Sequence, residues 1–145
     1  MTNPLTPAQQ AMLDNARAEH LYLRQSQAED GFELGEIETS TVTDEEFTAF
    51  FPLNLDGRTL VFTYSLGFDV DENGYAPYAH VSGGDVENPE QFSTKVLGDM
   101  NYARDQDELL ASVRVVGHVA GNARFEGFQW LMKPAENQTQ KPRAC

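Results

Sequence analysis

Basic residues are nearly missing from the middle of this chain. Between Arg24 and Lys95 the sequence holds one basic residue, Arg58, against fifteen Asp and Glu, which gives this block a net charge of −14, whereas all 145 residues together carry −13. Such a block would repel the phosphates of nucleic acids and anionic lipid headgroups. The sequence therefore predicts no direct nucleic-acid partner and no membrane partner, and it favours a basic protein as partner.

Cysteine and long apolar runs are also scarce. The one cysteine is Cys145, so no intrachain disulfide can form. No run approaches the roughly 20 apolar residues that span a bilayer, and the first residues lack the basic and apolar regions of a secretory signal. We therefore expect a cytoplasmic protein.

Motifs for catalysis, cofactors and metals are missing as well. His20, His80 and His118 lie far apart in the sequence with no thiolate near them, so they form no local metal cluster. No phosphate-binding glycine pattern and no nucleophile elbow is present. The sequence predicts no enzymatic activity, no cofactor and no metal.

A partial calcium motif is the nearest exception. The run from Asp69 to Gly74 places oxygen ligands at alternate positions and glycine at the sixth, as an EF-hand loop does. Position nine is Pro77, and position twelve, where a bidentate Glu belongs, is His80. We interpret the run as a hairpin tip with exposed carboxylates and expect no tight calcium binding.

The remaining composition is that of a globular protein. Hydrophobic residues make up 40% of the chain, and the nine Phe are spread over separate segments, as core residues would be. We expect one globular domain over 1–133 and a polar, flexible tail over 134–145.

A helix is predicted near the N-terminus. Thr6, Pro7 and Gln9 form a capping box with proline at the first helical position. The apolar spacing runs to about Arg24 and leaves Glu19 on the exposed side, after which the pattern breaks.

The next segments are predicted as a strand and a short helix. Residues 32–42 mix apolar residues with glutamates as a half-buried strand does, with a bulge at Gly35. Residues 43–46 resemble a second capping box, and Pro52 follows closely, so we expect a short helix that carries Phe47, Phe50 and Phe51.

Strict alternation over 60–69 makes this the clearest strand. Asp56-Gly57 before it and Asn73-Gly74 after it suit tight hairpin turns, so a meander is predicted through Val81. Pro77 would place the returning strand at an edge or a bulge.

A second helix is predicted over 88–103, with Phe92, Val96 and Met100 on one stripe. Residues 109–132 are rich in Val and Phe around Gly121-Asn122, which favours a second hairpin. The alternative, a helix capped by Asp105 or Asp107 that runs through Val113, stays open.

Together these elements predict an α+β fold. We expect a mostly antiparallel sheet, made of two hairpins plus an N-terminal strand, with two main helices packed on one face. The order loosely resembles that of the small acidic secretion chaperones. The resemblance carries no sequence motif, and the polar tail leaves no room for their last helix, so the chain is not assigned to that family.

The leading functional hypothesis is a non-catalytic acidic domain that covers a basic surface of a partner protein. An inhibitor, an immunity protein, a chaperone and a nucleic-acid mimic all belong to this class. The predicted binding face consists of Glu33, Glu36, Glu38, Asp44, Glu45, Glu46, Asp69, Asp71 and Glu72.

Two other interpretations stay open. The first is a small enzyme or ligand-binding domain whose pocket, inside a curved sheet, is lined by Tyr64, Tyr78, His80 and His118. The second is that the acidity serves solubility alone. A homodimer is compatible with each of them.

Overall fold

The computed structural model describes residues 5–40, 43, 45–85, 87–88, 90–98 and 102–132. Within these ranges the chain forms eight strands, with one helix before them and one helix after them in the sequence. The elements are α1 (Pro7–Asp30), β1 (Glu33–Leu34), β2 (Glu38–Ser40), β3 (Phe47–Leu55), β4 (Arg58–Leu66), β5 (Phe68–Asp69), β6 (Gly74–Tyr75), β7 (Tyr78–Gly84), β8 (Phe92–Leu97) and α2 (Gln106–Leu131). The predicted tail over 134–145 lies outside the described residues.

Helix α1 begins where the capping box predicts. The Thr6 Oγ1 accepts from the Gln9 backbone N–H at 3.1 Å, and the Gln9 Oε1 accepts from the Thr6 N–H at 3.0 Å. The predicted end at Arg24 is wrong. Residues 25–30 include good helix formers that need no core contact, and the helix stops only at Gly31, whose φ of 80° provides the left-handed C-cap.

The predicted strand over 32–42 is split at its bulge. Strands β1 and β2 both pair with β3, and the interruption lies opposite Pro52. The Gly35 N–H donates to the Pro52 carbonyl at 2.8 Å, and a Cβ on Gly35 would lie 2.6 Å from the Pro52 Cγ. Because proline has no N–H to give to a neighbouring strand, the edge breaks at this position.

The short helix predicted at Phe47 is wrong. Residues 47–55 form β3, in which Phe47 and Phe51 are buried while Phe50 points to the other face. Strand β3 turns into β4 at Asp56 and Gly57, which have φ values of 51° and 84°, so the predicted hairpin turn is confirmed.

The helix predicted over 88–103 is also wrong. Residues 92–97 form β8, which pairs antiparallel with β7. Phe92 and Val96 stand four apart, a spacing that fits one face of a strand as well as one face of a helix. The strand is preferred here because it continues the sheet and places both side chains against α2.

The second predicted hairpin is a single helix, so the alternative that the sequence left open is the correct one. The Asp105 Oδ1 accepts from the Glu108 N–H at 2.8 Å, and α2 continues well beyond Val113. Two of its glycines are close-approach positions. A Cβ on Gly117 would lie 2.5 Å from the Asn15 Oδ1 of α1, and one on Gly127 would lie 2.9 Å from the Val81 Cγ1 of β7.

The layers confirm the α+β class. The main sheet has the order β1-β3-β4-β7-β8 with β2 beside β1 on β3, and β5 and β6 form a separate hairpin. Helices α1 and α2 pack on one face of the sheet, and the core lies between the two layers. No helix in the described ranges is long and apolar enough to cross a bilayer.

Candidate functional site

The face of the main sheet turned away from α1 and α2 is called the outward face here. No helix in the described ranges covers it. Strand register assigns its side chains, which are Glu33, Glu38, Ser40, Thr48, Phe50, Pro52, Asn54, Thr59, Val61, Thr63, Ser65, Tyr78, His80, Ser82, Ser93, Lys95 and Leu97. Hydroxyl groups and a few apolar side chains dominate this surface.

Two of the predicted acidic residues lie along the edge of the outward face. Glu33 pairs with Asn54 and Glu38 pairs with Phe50, and both glutamates are exposed. Glu36 does not join them, because it lies in the interruption between β1 and β2. It lines a groove of about 370 Å³ beside Arg17 and Arg24 of α1.

Glu45 and Glu46 belong to a turn before β3. The Thr43 Oγ1 accepts from the backbone N–H groups of Glu45 and Glu46 at 3.2 and 3.0 Å. The amide nitrogen of Gln9 donates to the Thr43 carbonyl at 2.5 Å and so ties this turn to α1. A threonine bonded to the N–H groups two and three residues ahead is a turn motif as well as a helix cap. Asp44 lies outside the described residues.

Asp69, Asp71 and Glu72 lie at the β5–β6 hairpin. The Asp69 Oδ1 accepts from the Glu72 N–H at 3.1 Å, and the Arg104 guanidinium donates to the carbonyls of Glu72 and Asn73. Asn73 has a φ of 53°, as a hairpin turn requires. Among the residues that the structure describes, no three His, Cys, Asp or Glu side chains are grouped to hold a metal ion.

A cleft of about 570 Å³, here called the acidic cleft, lies where this hairpin leaves the sheet. Its floor includes Thr48, Ser65 and Tyr78, which pair across three neighbouring strands of the outward face. The described residues that line it are Glu46, Thr48, Ser65, Leu66, Gly67, Phe68, Asp69, Val70, Ala76, Tyr78 and Tyr102. Glu46 and Asp69, both singled out from the sequence, are thus brought to one cavity.

The carboxylates make the potential around the cleft negative. The charge of Asp69 raises the pKa of Tyr102 above its ordinary value, with smaller contributions from burial and from Glu72. The Tyr102 hydroxyl lies 3.5 Å from the Asp69 Oδ2. A negative charge disfavours the phenolate, which is the reason for this direction.

The four residues predicted to line a pocket in the sheet do not converge, so that prediction is wrong. Tyr64 faces the helices, whereas Tyr78 and His80 lie on the outward face and His118 lies on the exposed side of α2. Strand alternation separates Tyr64 from Tyr78 and His80, because positions 64 and 79 pair on the inner face while positions 65 and 78 pair on the outer one.

A buried polar cluster, here called the Glu19 cluster, was missed by the sequence analysis. The Arg124 Nη1 donates to the Oε1 and Oε2 of Glu19 at 2.9 and 2.8 Å. The Tyr64 hydroxyl lies 3.4 Å from the Glu19 Oε1. Burial and then the Glu19 charge raise the pKa of Tyr64 well above its ordinary value. The expectation of an exposed Glu19 is wrong, and its place three residues after the buried Ala16 was the available signal.

His80 provides a test of the outward face in solution. Its Nε2 lies 2.7 Å from the Ser93 Oγ, and burial and then the Lys95 charge lower the pKa of His80 below 6.5, while Glu90 opposes them. We expect an NMR titration to give a pKa below 6.5 for His80, and Lys95→Gln to raise it. A wild-type value at or above 6.5 would contradict this arrangement.

The lowered pKa of His80 also makes the stability of the fold depend on pH. A histidine whose pKa is lowered by folding contributes stability that is complete above the unfolded-state pKa. This contribution is lost as the pH falls from 6.5 through the folded-state value. His80→Gln should therefore remove part of the loss of stability between about pH 7.5 and about pH 5, measured by urea unfolding.

Comparisons of this chain with protein-family models, with curated proteins and with solved structures find no match.

Proposed function

We propose that this chain is a non-catalytic protein-binding domain that covers a basic surface of a partner protein with its outward face and the acidic residues around it. The supporting observation is that the excess of acidic residues lies between the two helices in the sequence and not in the helices themselves. Helices α1 and α2 together carry seven acidic residues and four arginines. Between the helices, the described residues include thirteen acidic residues and three basic ones.

The few basic residues between the helices leave the outward face open to a cation. Arg58 is turned to the helix side, where its Nη1 donates to the carbonyls of Trp130 and Leu131 at 2.9 and 3.1 Å. Arg104 binds the hairpin carbonyls. Lys95 is the one basic side chain among the described strand residues that point outward. A basic surface that approaches this face would therefore meet mainly carboxylates and neutral side chains.

The acidic residues surround the outward face on three sides. Glu33 and Glu38 lie on its edge, Glu46 and Asp69 on the acidic cleft, and further acids near the opposite end of the sheet. These last are Asp56, Asp85, Glu87 and Glu90. Charges at a rim act chiefly on the rate of association and on the choice of partner, which suits a domain that recognises a basic protein.

A charge-reversal experiment tests the proposal. The exposed residues Glu33, Glu38, Glu45 and Glu46 are changed together to lysine, and Glu36 is left unchanged because it lies beside two arginines. The control variant changes four exposed helix residues to lysine, which gives the same change in net charge. These are Asp14, Glu29, Asp30 and Glu126.

Both variants and the wild type are immobilised, and basic proteins retained from a soluble cell extract are quantified. We expect the wild type and the control to retain the same proteins at about 0.15 M salt and release them at about 1 M, where the screening length falls from about 8 to about 3 Å. The reversed variant should lose them. Equal retention by the wild type and both variants would show that the acidity serves solubility alone.

A further inference from the structure

The acidic cleft has the size of a ligand site. Its volume of about 570 Å³ lies inside the range of about 300 to 1,000 Å³ that is usual for ligand pockets. Its floor is a row of paired strand residues, and the first strand of the β5–β6 hairpin forms one wall with Phe68 and Asp69.

Aromatic and apolar residues form part of the lining of the cleft. Phe68, Tyr78 and Tyr102 belong to it, and Val70 beside them is 80% exposed. Phe68 is held by an edge-to-face contact with Tyr75, with the ring centroids 5.1 Å apart. Lysine and arginine side chains place long aliphatic stems along surfaces of this kind.

The polar groups of the cleft are mainly acceptors. The Asp69 Oδ1 is engaged by a backbone N–H at 3.1 Å, whereas the contact of the Asp69 Oδ2 among the described residues is a long one, 3.5 Å to the Tyr102 hydroxyl. Glu46 lines the same cleft, and no basic residue is among the described residues that line it. Two carboxylates with neighbouring hydroxyls suit an ammonium or a guanidinium group, which carry donors only.

An ammonium group already contacts one of these rings. The Lys95 Nζ lies 4.7 Å from the centroid of the Tyr78 ring. This distance is within the range of a cation–π interaction, so the Tyr78 ring holds a cation on one of its faces.

We infer that the acidic cleft receives a lysine or arginine side chain of the partner, an inference that rests on the proposed function. The aromatic side chains of the cleft hold the aliphatic stem, and Glu46 and Asp69 bind the cationic head. The cleft would then select a projecting basic side chain, whereas the acidic edge at Glu33 and Glu38 attracts a basic surface in general.

The test uses a short peptide of alternating glycine and lysine, observed by NMR on the whole chain. We expect the peptide to shift the signals of Tyr78 and Tyr102, and its lysine-acetylated form to leave them unchanged. The double variant Glu46→Gln/Asp69→Asn should weaken binding about tenfold, because it removes both charges that the lysine ammonium would contact. Asparagine keeps the oxygen that accepts from the Glu72 N–H, and thermal unfolding checks that the variant is folded.

The matched control is Glu33→Gln/Glu38→Gln, which removes the same charge from the edge and should weaken binding about twofold or less. Equal weakening by the two double variants would overturn the cleft as a specific site while leaving an acidic binding face intact. Binding of the acetylated peptide, or of the neutral sugar maltotetraose with the same shifts, would overturn the assignment to a cation. Absence of any binding of the lysine peptide would overturn it too, and the retention experiment then decides the proposed function separately.

Discussion

Phe51→Ala is expected to lower the free energy of unfolding by about 3 to 5 kcal/mol, the usual cost of truncating a buried phenylalanine. Phe51 is fully buried in β3. Its ring stacks on Phe62 with a centroid distance of 5.1 Å, and the His20 ring meets it edge-on at 5.0 Å. The cavity would therefore open between α1 and the sheet, and urea unfolding at constant pH measures the loss.

Phe50→Ala is the matched control for this prediction. Phe50 lies on the outward face and is only partly buried, so its loss should cost about 1 kcal/mol or less. In the short helix that the sequence predicts, positions 47, 50 and 51 would share one face and the two substitutions would cost nearly the same. Similar costs would therefore contradict the strand.

Arg124→Met is expected to lower the free energy of unfolding by about 3 kcal/mol, because it leaves the buried Glu19 carboxylate without its cation. The Glu19 side chain is 6% exposed and that of Arg124 is 27% exposed, so the value falls at the lower end of the range for buried pairs. Arg124 also lies over the Tyr22 ring at 4.2 Å, and its aliphatic part is replaced by methionine with little change in packing.

Two comparisons separate the lost charge pair from a general effect of the substitution. Arg17→Met removes an exposed pair with Asp14, whose atoms are 3.8 Å apart, and should cost well under 1 kcal/mol. Adding Glu19→Gln to Arg124→Met removes the uncompensated charge and should recover much of the stability. If the double variant is as unstable as Arg124→Met alone, the ion pair is not the source of the loss.

The Glu19 cluster also explains how the helices are fixed to the sheet. Glu19 belongs to α1, Arg124 to α2 and Tyr64 to β4, so one polar contact set joins all three parts of the core. The cost of burying a carboxylate makes its partners obligatory, and a specific arrangement of the two helices follows. In this arrangement the outward face, which is the proposed binding surface, lies on the side of the sheet away from both helices.

Part of the candidate site was predictable and part was not. The charge block identified Glu46 and Asp69, because counting residues needs no structure. The acidic cleft itself depends on Tyr102 and on the row of Thr48, Ser65 and Tyr78, which come together only through strand register. The sequence groups Glu36 with Glu33 and Glu38. The break that Pro52 causes in the strand edge cannot be predicted locally, because it depends on pairing between residues far apart in the sequence.

Local chemistry alone determined the ends and turns of this chain. The capping box at Thr6 is complete within four residues, and the Asp56-Gly57 turn needs only two residues that accept positive φ. The alternation over β4 likewise predicts which side chains share one face of a sheet, and this prediction does not depend on the neighbouring strands. Each of these signals is short in range, so each could be interpreted from the sequence.

Tertiary structure decided the remaining elements. In these segments the sequence pattern fits both a helix and a strand, or contains conflicting signals for the two. Phe92 and Val96 fit a helix or a strand, and pairing with β7 selected the strand. The valines and glycines of 109–131 favoured a hairpin, yet they form α2 because this helix buries one continuous stripe against the sheet. Gly127 lets the helix approach β7 closely. Burial of apolar surface outweighs propensities of less than about 1 kcal/mol per residue, and that burial exists only once the layers meet.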